Sequence, residues 1–353
     1  MAMAGDRLRA SWLATTAALE AVRQEWEQLW VTCPQATPFQ SPRWLLPWWK
    51  HIGRGTLATI AVRDSGSGDL IGLVPLYIFS AGAACRRQLL PIGAATTDVL
   101  EPLFRPGREH EALACVLAAL GARDGDWDVL DWPQVPGASA LVNMPLPAGW
   151  QREVVAGEPS PALALALAAT GAGRLPVPAA MAQNVRTARA RLARAGAWTI
   201  ERADADSTPR LLDDLARLHE QRWALRGGTG VLNGPGVFAA HREAAPRLHA
   251  AGLLRLYALR LDGTAIAALY CLADPAPARE RRWYYYLGGF DPRHACLSPG
   301  TVLIAHAIEE AVREGARAFD FLRGGETYKY HWGAVDQPMY TVRLTHARAM
   351  HSA

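Results

Sequence analysis

The sequence predicts a two-domain protein of the α/β class, each domain a mixed β-sheet covered by helices. Three observations lead there. The length of 353 residues exceeds one ordinary domain and suits two. Strand-helix-strand segments occur in both halves, and the same order of elements appears twice along the chain. Half of the residues are hydrophobic and a fifth are charged, which is the composition of folded domains rather than of a disordered or fibrous chain.

In the first half, helical periodicity covers residues 17–30 and 42–51. A strand over 56–63, the turn-rich DSGSGD, a strand over 70–79 and a third over 88–92 follow. A helix over 109–120 then leads to a strand over 127–132. The Ala- and Pro-rich stretch 159–180 reads as a connection. We therefore expect domains over 1–158 and 181–353.

The second half repeats the order. A strand over 198–202 precedes helices over 209–225 and 237–250. LLRLYALRL and TAIAALYCL flank Asp262-Gly263, a pair that favours a tight hairpin turn between β-rich runs. After the break DPAPARERR, Trp283-Tyr284-Tyr285-Tyr286-Leu287 reads as the third strand. Ser298-Pro299 opens a helix, because serine can cap free amides and proline is tolerated at the first helical position. Ile304, Ile308, Ala311 and Val312 recur at helical spacing, and Gly315 is placed to end the helix after about residue 314. Strands over 318–322 and 340–345 complete this half. The halves share no appreciable identity, so the repeat is one of element order, and residues 17–132 and 197–322 should form related mixed sheets.

Bulk chemistry narrows the partners. A formal charge of +4 falls short of the dense positive field of a DNA-binding protein. The five cysteines form no CxxC pair, so neither a zinc site nor a disulfide framework is expected. No run of about 18 apolar residues and no leader-like start is found, so a cytoplasmic chain without a membrane span is expected.

Several residues stand out chemically. Ser298, Pro299, Gly300, Thr301, Val302 and Leu303 open a helix whose free amides and dipole attract anions, although an ordinary capped helix has the same sequence. Asp320 is out of phase with Phe319 and Phe321 and faces the other side of its strand. Glu326 follows Gly324-Gly325, and Tyr328, Lys329 and His331 crowd the next positions; the bland alternatives are a structural Asp, a capping Glu and a solvated Lys. Tyr284 and Tyr286 share one strand face and Tyr285 takes the other. His219, Arg222, Trp223 and Arg226 lie at helical spacings, as an acceptor pocket or as a plain surface helix. The helix NVRTARARLARAG offers Arg186, Arg189, Arg191 and Arg194 to a phosphate, an RNA or anionic lipid at a membrane surface.

The run GGFDPRHACLSPGTVLIAHAIEEAVREGARAFDFLRGGETYKYHW resembles GNAT-superfamily acyltransferases of the CelD-like, cellulose-biosynthesis-associated subgroup, through SPG, FDFLRG and ETYKYHW. FQSPRWLLPWW, LIGLVPLYI and DVLDWP are weaker echoes that extend the resemblance over most of the chain. The tandem arrangement also resembles Fem-type aminoacyltransferases. The resemblance implies two tandem GNAT-like domains and transfer of an acyl group to a small-molecule amine, from acetyl-CoA or a longer acyl-CoA. In the Fem branch the donor is an aminoacyl-tRNA, and a catalytically silent polysaccharide-assembly factor would keep the same fold. Where the family carries Arg/Gln-x-x-Gly-x-Gly/Ala, this chain reads Arg293-His294-Ala295-Cys296-Leu297-Ser298-Pro299-Gly300. On this basis Arg293 and residues 298–303 are expected to hold the donor. Asp320 or Glu326 is expected as base and Tyr328 as proton donor to the leaving thiolate. His219, Arg222, Trp223, Tyr286, Lys329 and His331 are expected around the acceptor.

Overall fold

A computed structural model describes residues 7–82, 85–165, 175–225, 227–275 and 280–346. The chain begins with β1 (Leu8–Leu13), α1 (Thr16–Ala21), α2 (Arg23–Thr32), α3 (Pro42–His51), β2 (Thr56–Leu57), β3 (Thr59–Asp64), β4 (Leu70–Val74) and β5 (Leu76–Phe79). It continues through β6 (Gln88–Pro91), β7 (Leu103–Phe104), α4 (Glu109–Gly121), β8 (Val129–Pro136), α5 (Ala140–Asn143) and β9 (Trp150–Ala156). Next come β10 (Ser160–Ala164), α6 (Ala179–Ala195), β11 (Trp198–Arg202), α7 (Thr208–Ala224), α8 (Val237–Ala250), β12 (Leu254–Leu261) and β13 (Thr264–Ala273). The last elements are β14 (Arg282–Phe290), α9 (Pro299–Arg313), β15 (Ala318–Asp320), α10 (Thr327–His331), β16 (Val335–Gln337) and β17 (Met339–His346).

Two compact units result. One takes the residues up to Glu158 together with those from Pro338 onward, and the other spans Pro159–Gln337. The expected last strand, β17, therefore lies in the first unit's sheet, between β8 and β9, and not with the half of the chain that precedes it. Likewise the stretch read as a mere connection contains β10, which pairs with β15 and β16 in the second unit; residues 166–174 of that stretch lie outside the described ones. Both differences have one cause. Val342 and Leu344 are buried in the first unit's core and Leu163 in the second's, and a strand settles where its apolar face is covered.

The second unit's sheet runs β11-β12-β13-β14-β15-β10-β16, with β14 and β15 its parallel pair. In the first unit β2 and β3 are separated only by Ala58, and β4 and β5 only by Pro75. Taken through these breaks, its order is β1, β2/β3, β4/β5, β6, β8, β17, β9, with β6 and β8 parallel. The succession of antiparallel and parallel pairings is the same in both, so the two units are mixed α/β sheets of one topology.

Local rules account for the elements around the second unit's parallel pair. Asp262 and Gly263 both have positive φ, the requirement of the tight turn that joins β12 to β13. α9 begins after Ser298 in the left-handed region with Pro299 in its first turn, and ends before Gly315 at φ +75°. Its buried face, Val302, Leu303, Ile304, Ala307, Ile308 and Ala311, packs on β13 and β14 in one core with Trp283 and Phe319. Each full burial of an aliphatic side chain is worth about 1.5–3 kcal/mol, so this face fixes where the helix start lies. Among the described residues no helix is long and apolar enough to cross a membrane.

Candidate active site

β14 and β15 pair only across Arg282 with Ala318, Trp283 with Phe319 and Tyr284 with Asp320. β15 then stops, and Leu322 turns the chain through a positive φ of 58°. β14 continues to Phe290, with an irregularity against β13 that pairs Tyr270 with Leu287 and Cys271 with Tyr285, so that Tyr286 is the extra residue. Beyond Tyr284, one edge of β14 therefore has no strand partner among the described residues, and its main-chain groups face a gap. A cleft of about 390 Å³ lies there. It is lined by Asn184, Thr187 and Arg191 of α6, Arg222 of α7, Tyr285 and Phe290 of β14, Ser298, Gly300 and Thr301 at the start of α9, and Tyr328, His331 and Trp332 at α10. That volume is in the range of small-molecule sites.

One end of the cleft is the start of α9. Gly300 opens directly on it, since a Cβ there would meet nothing within 4 Å, and the first turn holds no acidic side chain. The helix's positive end is thus left for an anion. Arg191 stands beside it, its Nη1 donating to the Cys296 carbonyl at 3.2 Å. Pro299, Val302 and Leu303 lie underneath as buried core and do not line the cleft. Arg293 does not line it either. Its side chain, 78% exposed, is bonded to Asp291 at 2.7 Å, and the guanidinium holds that carboxyl down at about 2.

Tyrosines and an arginine occupy the other end. The Tyr285 hydroxyl receives hydrogen bonds from Arg222 and Tyr328, and burial keeps its ionisation above the usual range while Arg222 pulls it down. It lies so close to Gly288 that a Cβ there would come within 2.6 Å of it. Arg222 also donates to the Gly288 carbonyl at 3.3 Å and spans the Phe290 ring at 5.8 Å. Burial, reinforced by Tyr285 and Glu326 and opposed by Arg222, pushes the Tyr328 phenol far above the ordinary tyrosine range, so it keeps its proton.

The structure disperses other expected residues. Asp320 does face away from Phe319, but that face is not the cleft: it is buried, and its Oδ1 accepts from Ser160 Oγ and the Leu322 amide, both at 2.8 Å. It fastens β10 and the turn. Lys329 is buried, its Nζ donating to the carbonyls of Leu322, Arg323 and Gly324 at 3.0, 2.7 and 2.9 Å and pairing with Glu326 at 2.9 Å. This clamp holds the loop and leaves no donor for a substrate. Burial raises the Glu326 carboxyl, but Lys329 more than offsets it and the acid sits below its usual value; the residue occupies the N-cap position of α10 without a side-chain capping bond and lies outside the cleft lining. His219 is buried, accepts from Trp223 Nε1 at 3.0 Å and is pushed down to about 4 by burial and then by Arg222, so it is a neutral packing group. Tyr286 packs at a tilt against His241 and edge-on against Tyr270 and, like His219 and Trp223, is not part of the cleft lining. Arg226 lies outside the described residues.

The cleft also contains Asn184 and Thr187, which sequence reasoning passed over, and Arg191 and Tyr285, which it named without placing. Asn184, Thr187 and Arg191 share one face of α6 at helical spacing, but the sequence offered all four arginines of that helix alike to a phosphate or to solvent. Tyr285 was hidden by its neighbours, because alternation separates the three tyrosines into two faces without saying which face meets a site. Among the described residues no cluster of His, Cys, Asp and Glu could hold a metal ion.

Residues 179–330 match the family described as "Acetyltransferase (GNAT) domain". No curated protein matches the chain. Among solved structures, FemX is similar at 12% identity and a TM-score of 0.66, over 93% of this chain and 97% of that one. A domain described as the C-terminal part of a lysylphosphatidylglycerol synthetase of Agrobacterium fabrum is similar at 13% identity and a TM-score of 0.58, over 96% and 95%. A conserved protein of unknown function from Bacteroides thetaiotaomicron follows at 14% and 0.58, over 95% and 99%. At such identities these likenesses establish the shared fold.

Proposed function

We propose, from the match of residues 179–330 to the GNAT acetyltransferase domain family, that the chain transfers an acyl group from acyl-CoA to an amine in the cleft beside β14. The observation that carries the reading is the pairing of an open helix start, suited to an anion, with a protonated, partly buried tyrosine across one gap in the sheet. The donor's phosphates would be held by the start of α9 and Arg191, and its thioester would lie along the free edge of β14. Main-chain amides of that edge can face the carbonyl oxygen as negative charge develops.

The amine nitrogen attacks the thioester carbon, the carbon–sulfur bond breaks, and the sulfur leaves as thiolate. Tyr328 is the group for that sulfur, its neutral hydroxyl donating a hydrogen bond to the developing thiolate. A thiol's ordinary pKa is about 8.5, so the leaving group needs assistance more than a strong acid. The surplus proton of the amine passes to His331, the imidazole in the cleft lining. Asp320 and Glu326, each committed to protein partners, have no part in this scheme.

The test is Tyr328→Phe. With acetyl-CoA or a longer acyl-CoA at saturation and a panel of amines, turnover should fall about a hundredfold while calorimetry finds donor affinity within a few-fold of the parent. Turnover within a few-fold of the parent would remove Tyr328 from the mechanism. Tight, salt-sensitive binding of aminoacyl-tRNA with no binding of any acyl-CoA would replace the donor.

A further inference from the structure

The cleft carries a positive charge at the end away from the one assigned to the donor's phosphates. Its lining contains two arginines and a histidine and no aspartate or glutamate. Arg191 stands with the start of α9, at the end assigned to the donor's phosphates, but Arg222 stands at the opposite, reacting end with Tyr285 and Tyr328. Resting on the acyl-transfer reading of this cleft, we propose that Arg222 is a carboxylate-binding residue and that one of the two reactants carries a carboxylate at the reacting end, borne by the amine acceptor or by the acyl group.

Arg222 is half-buried, and its protein partners are neutral: the Gly288 carbonyl, the Tyr285 hydroxyl and the face of Phe290. Among the described residues no carboxylate lies within ion-pair distance of it. Glu326 feels its charge, but the Glu326 carboxylate is bonded to Lys329 at 2.9 Å. A guanidinium has five N–H donors in a planar fork, and these contacts leave donors unused. A partly desolvated cation without a counter-ion is costly, and the fork matches the two oxygens of a carboxylate. Phe290 and the Gly288 carbonyl fix the plane and edge of the guanidinium, which spares a ligand the entropy of ordering it.

The parent chain and Arg222→Gln are compared by calorimetry on two arms. In the first, amino acids and amino sugar acids are each titrated against their own carboxamides, with the non-reactive desulfo-CoA present. In the second, succinyl-CoA is compared with acetyl-CoA. We expect the carboxylate member of at least one pair to bind the parent at least tenfold more tightly, and that preference to vanish in Arg222→Gln while acetyl-CoA affinity is retained. The arm on which it appears names the reactant that carries the carboxylate. Equal binding of charged and neutral members on both arms overturns the proposal, as does a preference that survives in Arg222→Gln. A weakening of all ligands alike in the variant also overturns it, since that would make Arg222 a support for Tyr285 alone. Failure of acetyl-CoA to bind the parent breaks the donor reading separately, because the amino-acid arm is measurable without it.

Discussion

The parallel pairs β6–β8 and β14–β15 begin alike and end differently. In the first unit the pairing covers Gln88 with Val129 and Leu89 with Leu130, after which the strands part as β14 and β15 do. There the chain fills its own gap. The Leu100 amide donates to the Gln134 carbonyl and the Trp132 indole to the Leu100 carbonyl, both at 3.0 Å. Gln40 and Trp44 hold Val99 and Thr97 at 2.7 and 2.9 Å. What remains inside that core is an apolar cavity of about 20 Å³; the first unit's hollows of about 500 and 580 Å³ are lined by other residues, whereas in the second unit the cleft of about 390 Å³ is lined by the helix start itself. The helix starts differ in the same sense. α4 carries Glu109 and Glu111 in its first turn, which satisfy its dipole, whereas the first turn of α9 has no acid. Topology creates an opening in both sheets, and side chains decide whether it is filled or stays a cleft.

The largest effects should come from the strands that each unit takes from a distant part of the sequence. Leu344→Ala on β17 should cost about 2–5 kcal/mol, the usual range for a buried leucine. Hydrogen exchange should then accelerate in the first unit and not in the second. Leu163→Ala on β10 should do the reverse. If either substitution loosens both units equally, the division of cores described here is wrong.

A smaller effect should follow from making α9 resemble α4. Thr301→Glu places an acid in the first turn, where it favours the helix itself but repels a phosphate, so acetyl-CoA should bind about tenfold more weakly in calorimetry, or ~1.4 kcal/mol, with no loss of melting temperature. Unchanged affinity would move the anion site away from this helix start.

The smallest effect is one of pH. In the first unit burial raises the Glu101 carboxyl to about 8, only partly offset by the Ser139 hydroxyl at 3.1 Å. The folded state therefore holds this proton more tightly than the unfolded chain, and the stability it contributes is present at low pH and lost as pH rises from 4.5 through about 8. In the second unit His219 and His241 are pushed down to about 4 by burial, so their contribution is present above 6.5 and lost as pH falls toward 4, with Asp274, raised to about 7 by burial, acting in the opposite direction. Glu101→Gln should melt about 2–4 °C above the parent at pH above 8 and coincide with it near pH 4. A gain confined to acid pH would contradict the burial argument.

What the sequence by itself determined is what neighbours within a few residues dictate. The Asp262-Gly263 hairpin, the start of α9 at Pro299, its end before Gly315, the helix Val237–Ala250 and the separation of Tyr285 from Tyr286 were all legible, because each depends on a φ preference, a cap or a side-chain period. The start of α9 was legible in the same way as a helix start; that Tyr328 lines one cleft with it is a fact of the tertiary structure. Tertiary structure decided the rest. Asp320 is committed by Ser160, 160 positions away, and Arg343 of β17 by Asp131, 212 positions away. Lys329 was expected at the acceptor, with a solvated lysine as the alternative, because nothing in its own periodicity reveals that Leu322, Arg323 and Gly324 turn their carbonyls toward it. Which unit claims β10 or β17, and which charged side chain of α6 or α7 meets the cleft, follows from the covering of apolar faces across the whole chain, a competition that no local window of sequence contains.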